Sequence, residues 1–270
     1  MHALSHLNKP QQQAVLHGEG PLLILAGAGS GKTRVITHRI IHLIRERGVR
    51  PWNILAVTFT NKAAKEMAER VRHQLGSGDI PLIATFHAAC GRILRADGHQ
   101  LGYDRSFAIY DDKDSERLLK ELIKELNLDD RRFPAAGIGT RIDDCKNRGL
   151  LPHELPEGDL WNRQFVRIYA AYQERLKRCN AMDFGDMILQ TVRLFEQYPE
   201  VLARWQQRFQ WLLVDEYQDT NPVQYRLIRL LAGEQANLCV VGDDDQSIYS
   251  WRGADIRNIL EFEKDFPNVT

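Results

Sequence analysis

Five short apolar runs punctuate the chain: Leu22–Ala26, Ile54–Phe59, Leu82–Thr85, Trp211–Asp215 and Leu238–Gly242. Each is too short for a helix and lacks the alternation of a half-exposed strand. Each therefore predicts a strand buried on both faces, as in a parallel sheet. Helical spacing follows the first two. Val35, Ile36, Ile40, Leu43 and Ile44 recur at that spacing after the first, and Ala63, Ala64, Met67, Ala68 and Val71 after the second. Strand–helix alternation of this kind predicts an α/β sheet with right-handed crossovers.

The alternation then breaks. The first three runs begin at residues 22, 54 and 82, and the fourth only at 211. A compact domain does not hold a loop of that length. The intervening residues carry helical stripes: Leu118, Leu119, Leu122, Ile123 and Leu126; Phe165, Ile168, Tyr169, Tyr172 and Leu176; Met187, Ile188, Val192 and Leu194. Leu150–Gly158, with its Pro and Gly, reads as a loop between them. Residues 89–204 are thus expected to form an inserted all-helical subdomain, and 1–88 with 205–270 the sheet-bearing domain. There is no internal repeat and no low-complexity tract.

Composition narrows the class. Of 270 residues, 43% are hydrophobic and 27% charged, which excludes a disordered or fibrous chain. Lys+Arg and Asp+Glu number 36 each, so a generally basic coat for nucleic acid is excluded while a local basic groove is not. No apolar run approaches the roughly 18 residues that span a bilayer. The first ten residues lack a signal pattern. Cys90, Cys145, Cys179 and Cys239 form no CxxC pair and read as reduced thiols. The expectation is a cytoplasmic protein with no membrane partner and no disulfide or zinc framework.

The carboxyl ends of the strands carry the candidate chemistry, where ligands of open α/β sheets bind. The first runs into Ala26-Gly27-Ala28-Gly29-Ser30-Gly31-Lys32-Thr33, a P-loop with Ala26 in the first Gly position of GxxxxGK(S/T). Successive N–H groups of Ala28, Gly29, Ser30 and Gly31 can face one anion at a helix N-terminus. Lys32 is expected on the β- and γ-phosphates of ATP, and the Thr33 hydroxyl on Mg²⁺. The fourth strand ends in Asp215 and Glu216. Two acids closing an apolar strand are costly unless a cation or a proton transfer needs them. Asp215 is the candidate Mg²⁺ ligand through water, and Glu216 the general base for an attacking water.

The fifth strand runs into Asp243-Asp244-Asp245-Gln246-Ser247-Ile248-Tyr249-Ser250-Trp251-Arg252-Gly253. Gln246 is a candidate contact to the γ-phosphate and the nucleophilic water, and Arg252 joins the nucleotide set. Tyr249 and Trp251 read either as core or as stacking faces for bases, with flanking Gly and Ser favouring the second. The second strand ends in Thr58-Phe59-Thr60-Asn61-Lys62 and the third in Thr85-Phe86-His87. Hydroxyls and amides of Thr60, Asn61 and Thr85 suit phosphodiester contacts, and Phe59 and Phe86 suit base stacking. Either Phe taken singly also reads as core, and His87 as a structural histidine.

Together these segments resemble the UvrD/Rep/PcrA family of superfamily 1 DNA helicases. Leu7-Asn8-Lys9-Pro10-Gln11-Gln12 resembles its Q motif, which implies that Gln11 reads an adenine edge. Ala26–Thr33 resembles motif I, with Arg34 near base and sugar; Thr58–Ala64 motif Ia; Thr85–His87 the next DNA-contacting motif. Met182-Asp183-Phe184-Gly185-Asp186 resembles a segment late in the family's helical subdomain. Val214–Asn221 resembles motif II and Val241–Ala254 motif III. Residues 97–180 match by helices alone. The resemblance implies a RecA-like P-loop NTPase domain (1A) with an inserted helical domain (1B). It also implies ATP-driven 3′→5′ translocation on single-stranded DNA, action at single/double-strand junctions, and repair or replication proteins as partners. Phe59, Tyr249 and Trp251 become base-stacking candidates, and His87 a DNA-side residue.

The family pattern continues beyond motif III into a second RecA-like half with motifs IV–VI and arginine fingers, each commonly worth about 10³–10⁵ in rate. With the sequence stopping at Thr270, the expectation is an N-terminal portion that binds nucleotide weakly and hydrolyses it poorly. Two rivals stand beside this: a fragment of a RecB/AddA-type helicase–nuclease subunit, and a non-hydrolysing nucleotide-switch adaptor. A small-molecule kinase would need an acceptor pocket and lid arginines, and the aromatic-bearing strand ends favour nucleic acid instead.

Overall fold

The computed structural model describes residues 4–27, 29–76, 78–156, 158–233, 237–243, 262–266 and 268–270. The chain divides into two compact units. One comprises Met1–Ala89, Pro199–Thr220 and Ile228–Thr270, the other Cys90–Tyr198 and Asn221–Leu227.

The first unit is built on a five-stranded parallel sheet of β1 (Leu22–Leu25), β2 (Ile54–Thr58), β3 (Leu82–Thr85), β6 (Trp211–Val214) and β7 (Asn237–Gly242). Their order is β1-β7-β6-β2-β3, and every pair is parallel. The five apolar runs of the sequence are these strands. All residues of β2 and β6 are buried, as the unbroken apolar runs require of central parallel strands. On one face, Leu22, Ile54, Ala56, Trp211, Leu213, Cys239 and Val241 pack with Ile36, Ile40 and Leu43 of α2 (Lys32–Arg45) and Met67 and Val71 of α3 (Asn61–Leu75). A short helix, α1 (Lys9–Leu16), precedes the sheet.

The second unit has its own core. Leu118, Leu119, Leu122 and Ile123 of α5 (Asp112–Glu125) meet Ile138, Ile142 and Cys145 of α6 (Ala135–Asn147) and Phe165, Ile168, Tyr169, Tyr172 and Leu176 of α7 (Leu160–Arg178). It also holds the greater part of α4 (Phe86–Asp97), and α8 (Phe184–Gln197). The expectation of a purely helical subdomain is corrected in one detail. β4 (Ala108–Tyr110) and β5 (Ala181–Asp183) pair in parallel over three residues each. Runs of three residues have no period to read, and long-range pairing makes them strands. The Leu150–Gly158 stretch holds a 3₁₀ turn, Pro152–Glu154.

Cys90, Cys145 and Cys239 are buried and Cys179 is exposed, all four free. Among the described residues no helix is long and apolar enough to cross a membrane. Among them, too, no cluster of three His, Cys, Asp or Glu side chains is placed to hold a metal ion.

Candidate functional site

Parallel strands share one carboxyl edge, and the strand order divides it. The loop after β1, Asp243 after β7, and Asp215 with Glu216 after β6 fall on adjacent strands. The segments after β2 and β3 lie beyond them.

Lys32 opens α2 directly behind the phosphate-loop sequence. Its Nζ donates to the Ala26 carbonyl at 2.9 Å and to Asp243 Oδ2 at 3.1 Å. Both side chains are buried, at 8% and 2% exposure. Gly31 caps α2 in the left-handed region, φ +86°, where a Cβ would also stand 3.2 Å from Gln11 Nε2. Gly29 is left-handed too, and Ser30 exposed. Gln11 is tied on both sides. Its Nε2 donates to the Ser30 carbonyl at 2.8 Å, and its Oε1 accepts from the Asn8 N–H at 3.0 Å in a capping box on α1. Arg34 is exposed and donates to the His6 carbonyl at 3.3 Å.

Thr33 Oγ1 donates to Asp215 Oδ2 at 3.2 Å, so the two candidate Mg²⁺ ligands meet across the sheet edge. Burial, and then the charge of Glu216, push the Asp215 carboxyl up to about 6. A hydroxyl and a crowded, desolvated carboxylate are hard oxygen donors suited to a divalent cation, and the residues present fit Mg²⁺ on that ground. Glu216 stands at φ +52°, ψ +45°, an uncommon conformation for a non-glycine residue and one that marks functional turns. Its Oε2 accepts from Gln218 Nε2 at 2.8 Å, and Gln218 Oε1 accepts from the Asp243 N–H at 3.1 Å.

On the other part of the edge, Thr60 Oγ1 accepts from the Ala63 N–H at 3.1 Å and caps α3, with Thr60 and Asn61 exposed. Thr85 is buried and accepts from the Ala88 N–H at 3.2 Å. His87 is half-buried. Phe59 is half-buried and meets Phe86 edge-on, with ring centroids 5.5 Å apart. Phe86 itself is 3% exposed, and this corrects its place among the base-stacking candidates. A ring sealed in the core has no face to offer a base, so its part here is to back Phe59. Ala28, Gln246, Tyr249, Trp251 and Arg252 lie outside the described residues.

Two participants escaped the sequence reading. Asp243 was one acid in a run of three, and only the β1–β7 pairing sets it against Lys32. Gln218 stands two residues after Glu216, and only the turn joins it to Asp243.

The family model described as UvrD/REP helicase N-terminal domain matches residues 7–267. Among curated relatives, the chain is 52% identical to the ATP-dependent DNA helicase PcrA of Bacillus subtilis (strain 168), over 99% of this chain and 36% of that protein. It is 50% identical to the PcrA of Staphylococcus aureus (strain Mu50), over 98% of this chain and 37% of that protein. The chain thus spans little more than a third of the length of these relatives. A parallel sheet with a phosphate-loop lysine and a strand-end acid pair on one edge, in a chain that the model matches over residues 7–267, means that the chain belongs to the UvrD/REP helicase N-terminal domain family.

Proposed function

We propose that this chain is the nucleotide-binding and DNA-contacting portion of an ATP-dependent DNA helicase that moves 3′→5′ on single-stranded DNA. The observation that carries the reading is the Thr33–Asp215 contact beside the Lys32–Asp243 pair, on the sheet edge that continues into Phe59. In this reading residues 1–88 and 205–270 form the RecA-like ATP-binding domain and 89–204 the inserted helical subdomain. Relatives named ATP-dependent DNA helicase support it.

The roles divide by chemistry. Lys32 leaves Asp243 to bind β- and γ-phosphate oxygens, while the N–H groups of 28–31 hold the same anion. Gln11 and Arg34 face base and sugar. Thr33 and Asp215 would hold Mg²⁺, which when bound neutralises charge on the transferred phosphoryl group. Glu216 orients and deprotonates the attacking water, and Gln246 and Arg252 belong to the γ-phosphate side. Phe59, Thr60, Asn61, Thr85, His87, Tyr249 and Trp251 serve single-stranded DNA, including its junctions with duplex. A second RecA-like half with motifs IV–VI completes the site, and repair or replication proteins direct it in the cytoplasm, at the nucleoid.

Equilibrium binding of Mg-ATP to this chain and to Lys32→Ala tests the assignment, with a single-stranded oligonucleotide as second ligand. The expected result is ATP binding by the parent chain that Lys32→Ala abolishes while DNA binding persists. Equal ATP affinity in both proteins would refute it.

A further inference from the structure

The phosphate loop is also attached from its amino-terminal side, through α1. This helix has eight residues, and Val15 is its one buried residue. So short a helix is marginal without outside support. Yet its first turn carries Gln11, whose amide reaches the Ser30 carbonyl. What fixes α1 comes largely from α2, the helix that opens with Lys32 and Thr33. Val35 packs on Leu7 and Val15. Arg39 reaches the far end.

Arg39 is 1% exposed. Its Nη1 donates to the carbonyls of Ala14 at 3.0 Å and His17 at 2.7 Å, and its Nη2 to Gly18 at 3.2 Å. These carbonyls lie in the last turn of α1 and just past it, where a helix leaves its acceptors without partners. A cation there also meets the negative end of the helix dipole. Among the described residues no carboxylate pairs with this guanidinium, and the Trp211 ring lies 5.9 Å from it. A buried cation is costly, and its rigid donor fork is committed to one helix end. One helix thus presents the phosphate lysine at its start and, about two turns on, the clamp for the helix that bears Gln11.

Resting on the nucleotide-site reading above, we propose that Arg39 is a positioning residue: by clamping the carboxyl end of α1 it sets Gln11 beside the phosphate loop, and through Gln11 it sets the preference of the site for adenine nucleotides. A Gln amide offers one donor and one acceptor, the pair that matches adenine N7 and N6 and does not match guanine N7 and O6.

The test separates base from phosphate. Binding of Mg-ATP, Mg-GTP and Mg-tripolyphosphate is measured on the full chain, on Arg39→Met and Arg39→Lys, and on each of these combined with Gln11→Ala. The parent chain should favour ATP over GTP. Arg39→Met should weaken ATP by about tenfold, the worth of one hydrogen bond to a base edge. It should bring the ATP/GTP ratio close to one and leave tripolyphosphate affinity within about twofold, the level at which independent sites add. In the Gln11→Ala background the same change should have no further effect on the ratio, because the two residues act as one unit. Should Arg39→Met fail to fold, Arg39→Lys, which keeps the charge without the fork, decides by the same ratios. Equal weakening of ATP and tripolyphosphate, an unchanged ratio in a folded variant, or a parent chain indifferent to the base overturns the role of Arg39. Absence of all nucleotide and tripolyphosphate binding in the parent chain overturns the nucleotide reading itself.

Discussion

Lys32 Nζ stands 3.1 Å from Asp243 Oδ2, with both side chains nearly sealed from solvent. The lysine proposed to bind phosphate therefore already has an anionic partner, which a nucleotide bound as proposed would displace. Removing one member of a buried pair strands the other charge, at a cost of about 3–5 kcal/mol. Lys32→Ala should accordingly lower the stability of the nucleotide-free chain by an amount of that order, and Lys32→Ala with Asp243→Asn should recover most of the loss. Urea unfolding of the four proteins in this cycle measures it. A double variant no more stable than Lys32→Ala would count against the pairing.

Phe59 and Phe86 touch edge-on, but only Phe59 has exposed surface. One base–aromatic stack is worth about 1–3 kcal/mol. Phe59→Ala should therefore weaken oligonucleotide binding by roughly tenfold to a hundredfold, with a smaller loss of stability. Phe86→Ala should cost about 3–5 kcal/mol of stability, as large-to-small changes in a core do. Fluorescence anisotropy and thermal melts on both variants would expose a reversal of these effects.

In the helical unit, Lys146 Nζ lies 2.7 Å from Asp183 Oδ2 and 2.9 Å from Asp186 Oδ1, and the lysine is 1% exposed. Tyr172 donates to Asp183 and Gln173 to Asp186. Burial, and then the charge of Asp183, raise the Asp186 carboxyl. Burial also raises Asp183, but Lys146 and the hydrogen bonds outweigh it and hold that carboxyl low. Lys146→Met should thus cost about 3–5 kcal/mol by stranding a buried carboxylate. Asp186→Asn keeps the shape and removes the crowded acid, so it should cost far less. Chemical denaturation ranks the two, and the reverse order would show that Asp186 is the indispensable charge.

His17, His38 and His42 are all held below the ordinary histidine value, first by burial. His6 and Arg34 add to this at His38, and Arg39 at His17 and His42. Folding disfavours their charged forms, while the unfolded chain takes up protons below about pH 6.5. The unfolded state then binds more protons, so stability is full above that pH and is lost as pH falls through the depressed folded values. His38→Gln should reduce this acid sensitivity. Unfolding midpoints at about pH 7.5, 6.5 and 5.5, bracketing the histidine range, provide the check. Identical pH profiles would remove His38 from the account.

Much of the fold is legible in the sequence because its signals are local. An unbroken run such as Ile54–Thr58 fits only a strand buried on both faces, and it is one. The phosphate loop is legible for a related reason, since glycines at fixed spacing before Lys32 and Thr33 encode a backbone shape. Helix α6 has no clear periodic signal because Gly137 and Gly139 dilute its apolar stripe, yet Ile138, Ile142 and Cys145 are buried against α5 and α7. The strands β4 and β5 lie 70 residues apart in the chain and are defined by their pairing alone.

What the sequence determined by itself was the set of strand ends that carry the candidate site residues, because each is a contiguous string. Which ends are neighbours was decided only by the tertiary structure. The order β1-β7-β6-β2-β3 sets Asp243 against Lys32 and Asp215 against Thr33, and leaves Phe59 and Phe86 on the far strands. The burial of Phe86, the turn that joins Gln218 to Glu216 and Asp243, and the reach of Arg39 to α1 were decided there too. Hydrogen bonds and ion pairs act over a few ångströms in space, and distance along the chain carries no record of them.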